Sequence, residues 1–185
     1  MTQLNTDFIE QGLANYCEAR RAIDQFETQV QNAASAALSR QLTALAEAIG
    51  KPFSGNQTTR YLNADAPDFS WAWVAVWLAC ERPLSWLYVG IRWELNSGGA
   101  QKVYAAVDFD AANAPARDRL LTAAAKVVPP PRFDLENPYR NETLMRVELK
   151  QGDAASLESV LSEMLSEWER LFHAIGGAAT LDPTP

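Results

Sequence analysis

Apolar positions recur at three- and four-residue steps from the start of the chain: Ile9, Leu13, Tyr16, Ile23, Phe26, Val30, Ala34, Leu38, Leu42, Leu45 and Ile49. This spacing predicts an amphipathic helix over about residues 7–49, opened by Asp7 with Glu10 three positions on and stopped by Gly50 and Pro52. Uninterrupted, such a helix at about 1.5 Å per residue would run about 63 Å, against a diameter of about 40 Å for a compact chain of this size. It is therefore expected either to break, around Asn32–Ser35, or to project and need a partner.

Residues 53–70 are rich in Asn, Asp, Thr, Ser, Gly and Pro and read as an irregular connection. The period then changes to two. Trp71, Trp73, Ala75 and Trp77 alternate with Ala72, Val74, Val76 and Leu78, so both faces of this strand are apolar and one is lined by tryptophan. After Arg82-Pro83, Leu87, Val89, Ile91, Trp93 and Leu95 alternate with Tyr88, Gly90, Arg92 and Glu94. Asn96-Ser97-Gly98-Gly99 is a hairpin signal, and Val103, Ala105, Val107 and Phe109 then alternate with Lys102, Tyr104, Ala106 and Asp108. These three strands predict an antiparallel meander.

Asn113 as cap and Pro115 in the first turn open a short helix ended by Pro129–Pro131, and residues 132–141 show no period. Thr143, Met145, Val147 and Leu149 alternate with Leu144, Arg146, Glu148 and Lys150, a fourth strand. Gly152-Asp153 turns and caps a last helix in which Leu157, Leu161, Met164, Trp168, Leu171 and Ile175 recur until Gly176-Gly177 stops it. The reading is one α+β domain over 1–177, in the order α-β-β-β-α-β-α, its mainly antiparallel sheet packed by the long N-terminal helix and the C-terminal helix, with residues 178–185 a disordered tail.

Composition adds limits rather than a function. With 16 Lys+Arg against 23 Asp+Glu the net charge is −7, which disfavours nucleic acid and suits a basic partner. One histidine, His173, leaves no His-based metal motif or Ser-His-Asp arrangement, and its place near a helix C-terminus complements the helix dipole. Cys17 and Cys80 lie far apart in sequence and read as buried free thiols. The longest apolar run, Trp71–Cys80, is about half the roughly 20 residues a membrane-spanning helix needs. No secretory leader is read at the N-terminus, and a cytoplasmic address is expected. No metal site and no cofactor are expected.

Candidate chemistry gathers on the strand face turned away from the helices. Trp71, Trp73, Trp77, Tyr88, Arg92, Glu94, Tyr104 and Arg146 are the candidate binding residues: aromatic rings that can anchor a partner, and arginine forks that can hold an anion or nucleotide. The carboxylates of the last helix, Glu158, Glu163, Glu167 and Glu169, form a second candidate surface, for a basic protein. Glu148-Leu149-Lys150 presents an acidic-x-Lys on a strand, which with Asp108 could serve a metal-assisted phosphodiester hydrolysis. On these residues and the element order, the chain resembles the PD-(D/E)xK nucleases. That family carries its acidic-x-Lys on the third core strand, where this chain has Val107-Asp108-Phe109-Asp110.

The leading expectation is a small acidic, non-enzymatic protein that binds another macromolecule. In size, acidity and element order it is similar to immunity proteins and type III secretion chaperones. A homodimer through the first helix is expected, with Leu38 and Leu42 in its interface. The rivals are the divergent nuclease using Asp108, Glu148 and Lys150, and a small-anion or nucleotide-binding domain.

Overall fold

The computed structural model describes residues 6–61, 71–95, 101–136, 142–150 and 155–182. The helix α1 spans Thr6–Ile49 and is continuous. Of the two expected outcomes, a break near Asn32–Ser35 or a projecting helix, there is no break: no Gly or Pro falls between Leu13 and Ile49 to force one. Gly50, at φ 74°, ends the helix in the left-handed conformation that glycine adopts without strain. Strands follow as β1 (Phe53–Tyr61), β2 (Trp71–Cys80), β3 (Leu84–Leu95) and β4 (Gln101–Ala111). Then come α2 (Ala114–Ala124), β5 (Asp134–Glu136), β6 (Glu142–Glu148), α3 (Leu157–Ile175) and a 3₁₀ turn (Ala178–Leu181).

The six strands form one sheet in the order β1-β2-β3-β4-β6-β5 with every pairing antiparallel, which is the α+β architecture expected. Two strands correct the sequence reading. Residues 53–61, taken as irregular, form edge strand β1, and Asp134–Glu136 pairs with β6. An edge strand bonds on one side only and needs no strong apolar alternation, so β1 carries Asn, Gln and Thr without the pattern that marks a strand. The Asn96–Gly99 turn lies outside the described residues. Ala178–Leu181, read as part of a disordered tail, forms a turn whose Ala178 and Leu181 are buried.

Beside a second, smaller cluster of Val30, Val74 and Ile91, the main core lies between the sheet and the helices. Val76, Leu78, Leu87, Val89, Ala105, Val107, Phe109 and Met145 point into it from the strands. They meet Ala34, Leu38, Leu45 and Ile49 of α1, Leu120 and Ala124 of α2, and Leu161, Trp168 and Phe172 of α3. Phe109 holds Trp168 and Phe172 edge-on, at centroid distances of 4.9 and 5.2 Å. Trp168 Nε1 donates to the carbonyl of Val107 at 3.3 Å, so the buried indole loses no hydrogen bond. Leu38, expected in a dimer interface, is instead part of this core, and Leu42 packs against it.

The caps follow local chemistry. Asn113 accepts the N–H of Ala116 at 2.9 Å to start α2, as expected. The cap of α3 is Ser156, which accepts the N–H of Ser159, rather than Asp153.

Candidate functional site

Because all three helices cover one face of the sheet, the side chains of the other face are free to build a site. Residues paired across antiparallel strands share a face, so the register lays this face out in rows. One row runs Trp77–Tyr88–Asp108–Leu144, the next Ala75–Gly90–Ala106–Arg146, and the next Trp73–Arg92–Tyr104–Glu148. Small residues thus lie between two rows of large ones. The result is a cavity of about 330 Å³ lined by Trp73, Ala75, Trp77, Tyr88, Gly90, Ile91, Arg92, Ala106, Asp108 and Leu144.

Its aromatic wall is self-supporting. Trp73 and Trp77 stack at 5.4 Å, and Tyr88 meets them edge-on at 6.0 and 4.7 Å. Arg92 and Asp108, 8% and 7% exposed, bring opposite charges into the lining from different rows. Trp77 Nε1 is buried with no hydrogen-bond partner among the described residues, and an unpaired buried donor costs free energy. At the floor, a Cβ on Gly90 would fall 2.1 Å from the carbonyl oxygen of Val74, so only glycine lets β2 and β3 approach this closely.

Of the candidate binding residues, Trp73, Trp77, Tyr88 and Arg92 therefore converge, and Asp108, assigned from sequence to a nuclease, joins them. Tyr104 and Arg146 do not line the cavity. The Arg146 guanidinium lies 4.3 Å from the centre of the Tyr104 ring and its Nη2 donates to Glu136 Oε1 at 2.7 Å. Trp71 and Glu94 are paired with each other at the sheet's end, and their side chains lie outside the described residues.

The nuclease-like set is not brought together. Glu148 pairs with Tyr104 whereas Asp108 pairs with Leu144, four residues along β4, a separation of about 14 Å at about 3.4 Å per residue. Glu148 and Lys150 are both exposed, and Lys150 follows the end of β6. Among the described residues no group of three His, Cys, Asp or Glu is placed to hold a metal ion. No described helix is long and apolar enough to cross a membrane.

The acidic face of α3 is occupied by internal ion pairs. Glu158 pairs with Arg40 of α1, and Glu163 Oε2 lies 3.9 Å from Arg132 Nη1. Glu167, 3% exposed, takes Arg170 Nη2 at 2.6 Å and Nε at 3.0 Å, and accepts the backbone N–H of Arg132 at 3.0 Å. The Arg170 hydrogen bonds, helped by the Arg132 N–H and both positive charges, hold the Glu167 carboxyl below the usual glutamate range against the opposing effect of burial. This carboxylate clamps the segment before β5 onto α3. Sequence marked it only as one of several surface acids.

A second exposed place is α1 itself. From Glu10 to Gln29 every residue is exposed except the half-buried Glu27. Leu13, Tyr16, Ile23 and Phe26 are 59%, 66%, 43% and 43% exposed, and they continue the stripe that is buried at Val30, Ala34, Ala37 and Leu38. Phe26 touches the edge of Trp93 at 6.3 Å, which marks where the sheet ends beneath the helix.

Compared with known proteins, the chain matches no family model, no curated protein and no solved structure.

Proposed function

We propose that this chain is a non-enzymatic interaction module that docks through the projecting part of α1. The observation that carries the reading is the exposed stripe Leu13–Tyr16–Ile23–Phe26. A helix of about 20 residues has little stability of its own in water, and most helical stability comes from packing an apolar face. Here the stripe is the direct continuation of the one that packs on α3 and the sheet, so its complement is another apolar helix face. The nearest source is the same stripe on a second copy, laid antiparallel over residues 10–29 and stopped at Val30, where the chain's own body covers the helix. The net charge of −7 supports a basic protein as the partner of the assembled pair.

Light scattering across a wide concentration range tests this. The expected result is twice the 20.4 kDa chain mass at high concentration, reduced to one chain mass by Ile23→Glu. A single chain mass at every concentration overturns the pairing.

A further inference from the structure

The exposed apolar residues of α1 carry more than a docking face: their spacing sets a register, an inference that rests on the pairing proposed above. We propose that two copies pair about a two-fold axis passing between Ala19 and Arg20. Leu13 then meets the partner's Phe26, and Tyr16 meets the partner's Ile23. Three observations select this arrangement.

The first is symmetry. Along Leu13, Tyr16, Ile23 and Phe26 the steps are three, seven and three residues, the same in both directions. A two-fold interface uses one patch on both subunits, so that residue i meets residue j and j meets i. Antiparallel pairing about the middle of the stripe satisfies this for all four residues at once. A slip of one turn either way sets Ile23 opposite the partner's Gly12 or Arg20 instead of its Tyr16.

The second is the extent of the body. Val30, Ala34, Ala37 and Leu38 continue the stripe and are buried under the chain's own sheet and helices. A parallel copy laid on the stripe would carry its own residues 30–49 into that space. In the antiparallel register the partner's position 9 comes level with Val30, so the overlap ends where the cover begins. The two bodies then stand at opposite ends of one two-helix rod, their Val30 positions about 32 Å apart along it at about 1.5 Å per residue.

The third is the fit of the remaining side chains. At about 3.6 residues per turn, Gly12, Ala19, Arg20 and Glu27 fall on the arc between Leu13 and Phe26. The register sets the long side chains of Arg20 and Glu27 opposite the partner's Ala19 and Gly12, two of the smallest residues of the helix. Nothing in the chain lies within 4 Å of a Cβ placed at Gly12, so the space there is open. Parallel pairing would instead set Arg20 and Glu27 each against its own copy, like charge on like.

Disulfide trapping in a Cys17→Ser background tests the register. With Ala19→Cys the two thiols lie one residue apart along the rod, within reach of a bond whose Cα atoms stand about 4.4–6.8 Å apart. With Leu13→Cys they lie 13 residues apart, about 20 Å. Air oxidation followed by non-reducing electrophoresis should give a covalent dimer of Ala19→Cys, none of Leu13→Cys or Phe26→Cys alone, and one from the mixture of those two. Adding Ile23→Glu should remove the Ala19→Cys product. Self-linking of Leu13→Cys overturns the register, as does the absence of product from Ala19→Cys or from the mixture. Light scattering of the unsubstituted chain keeps the two failures apart. Twice the chain mass with the wrong cross-links overturns the register alone, whereas a single chain mass at every concentration overturns the pairing and the register with it.

Discussion

Gly90 on β3 faces Ala75 on β2 across so short a gap that a Cβ at position 90 would lie 2.7 Å from the Ala75 Cα and 2.1 Å from the preceding carbonyl oxygen. Both are backbone atoms of a central strand, which cannot move aside as a side chain can. Gly90→Ala is therefore expected to cost about 3 kcal/mol or more, the range of severe single substitutions. For a chain of this length that lowers Tm by about 6–12 °C at about 2–4 °C per kcal/mol, or prevents folding. Thermal unfolding by circular dichroism checks it, and a Tm within about 2 °C of wild type contradicts the close approach.

The Glu167 cluster makes a pH-dependent prediction. Its carboxyl titrates below the ordinary value of 4.5 because Arg170 and the Arg132 N–H bind the ionised form. The folded value is thus lower than the unfolded one. The resulting stability is fully present above about pH 4.5 and is lost as pH falls through the folded value. Glu167→Gln should destabilise by about 1–3 kcal/mol at neutral pH, a range kept modest because Arg132 and Arg170 remain partly exposed. The gap to wild type should narrow in acid. Denaturant titrations at both pH values would show it, and a gap that stays constant contradicts the clamp.

The two cysteines should react at very different rates. Cys17 is exposed on the projecting part of α1, whereas burial pushes the Cys80 thiol up to about 11. At pH 8 only about one Cys80 in a thousand is then a thiolate, the reactive form. Iodoacetamide should add one group quickly, at Cys17, and a second only on unfolding. Two equally fast additions by mass spectrometry contradict this placement.

Position along α1 should decide what a substitution does. Leu38 is buried in the core, so Leu38→Ala is expected to cost about 2–4 kcal/mol of stability. Ile23→Glu changes an exposed residue outside the body of the protein and should leave the unfolding of the single chain nearly unchanged while abolishing pairing. Denaturant unfolding at low concentration, beside light scattering at high concentration, separates the two effects.

Much of this arrangement can be read from alternation. The period of two through Trp71–Leu78 places Val74, Val76 and Leu78 in the core and Trp73 and Trp77 on the open face, and the same logic brings Tyr88 and Arg92 beside them. The cavity floor was hidden because small residues carry no chemistry of their own. Gly90 inside a strand pattern was the available signal of close backbone approach. Whether Asp108 meets Glu148 is not legible in the sequence, because alternation fixes the face of a strand but not the row, and rows follow from register. For α1, the stripe looks alike at Leu13 and at Leu38. Which half is covered depends on where the sheet ends, near Trp93, and no local pattern records that.

Amide hydrogen exchange of residues 10–29 as a function of protein concentration tests the docking role of α1 most directly. The account predicts slow exchange at high concentration, where a second copy covers the stripe, and fast exchange on dilution or in Ile23→Glu. Exchange that is equally fast at every concentration would contradict it.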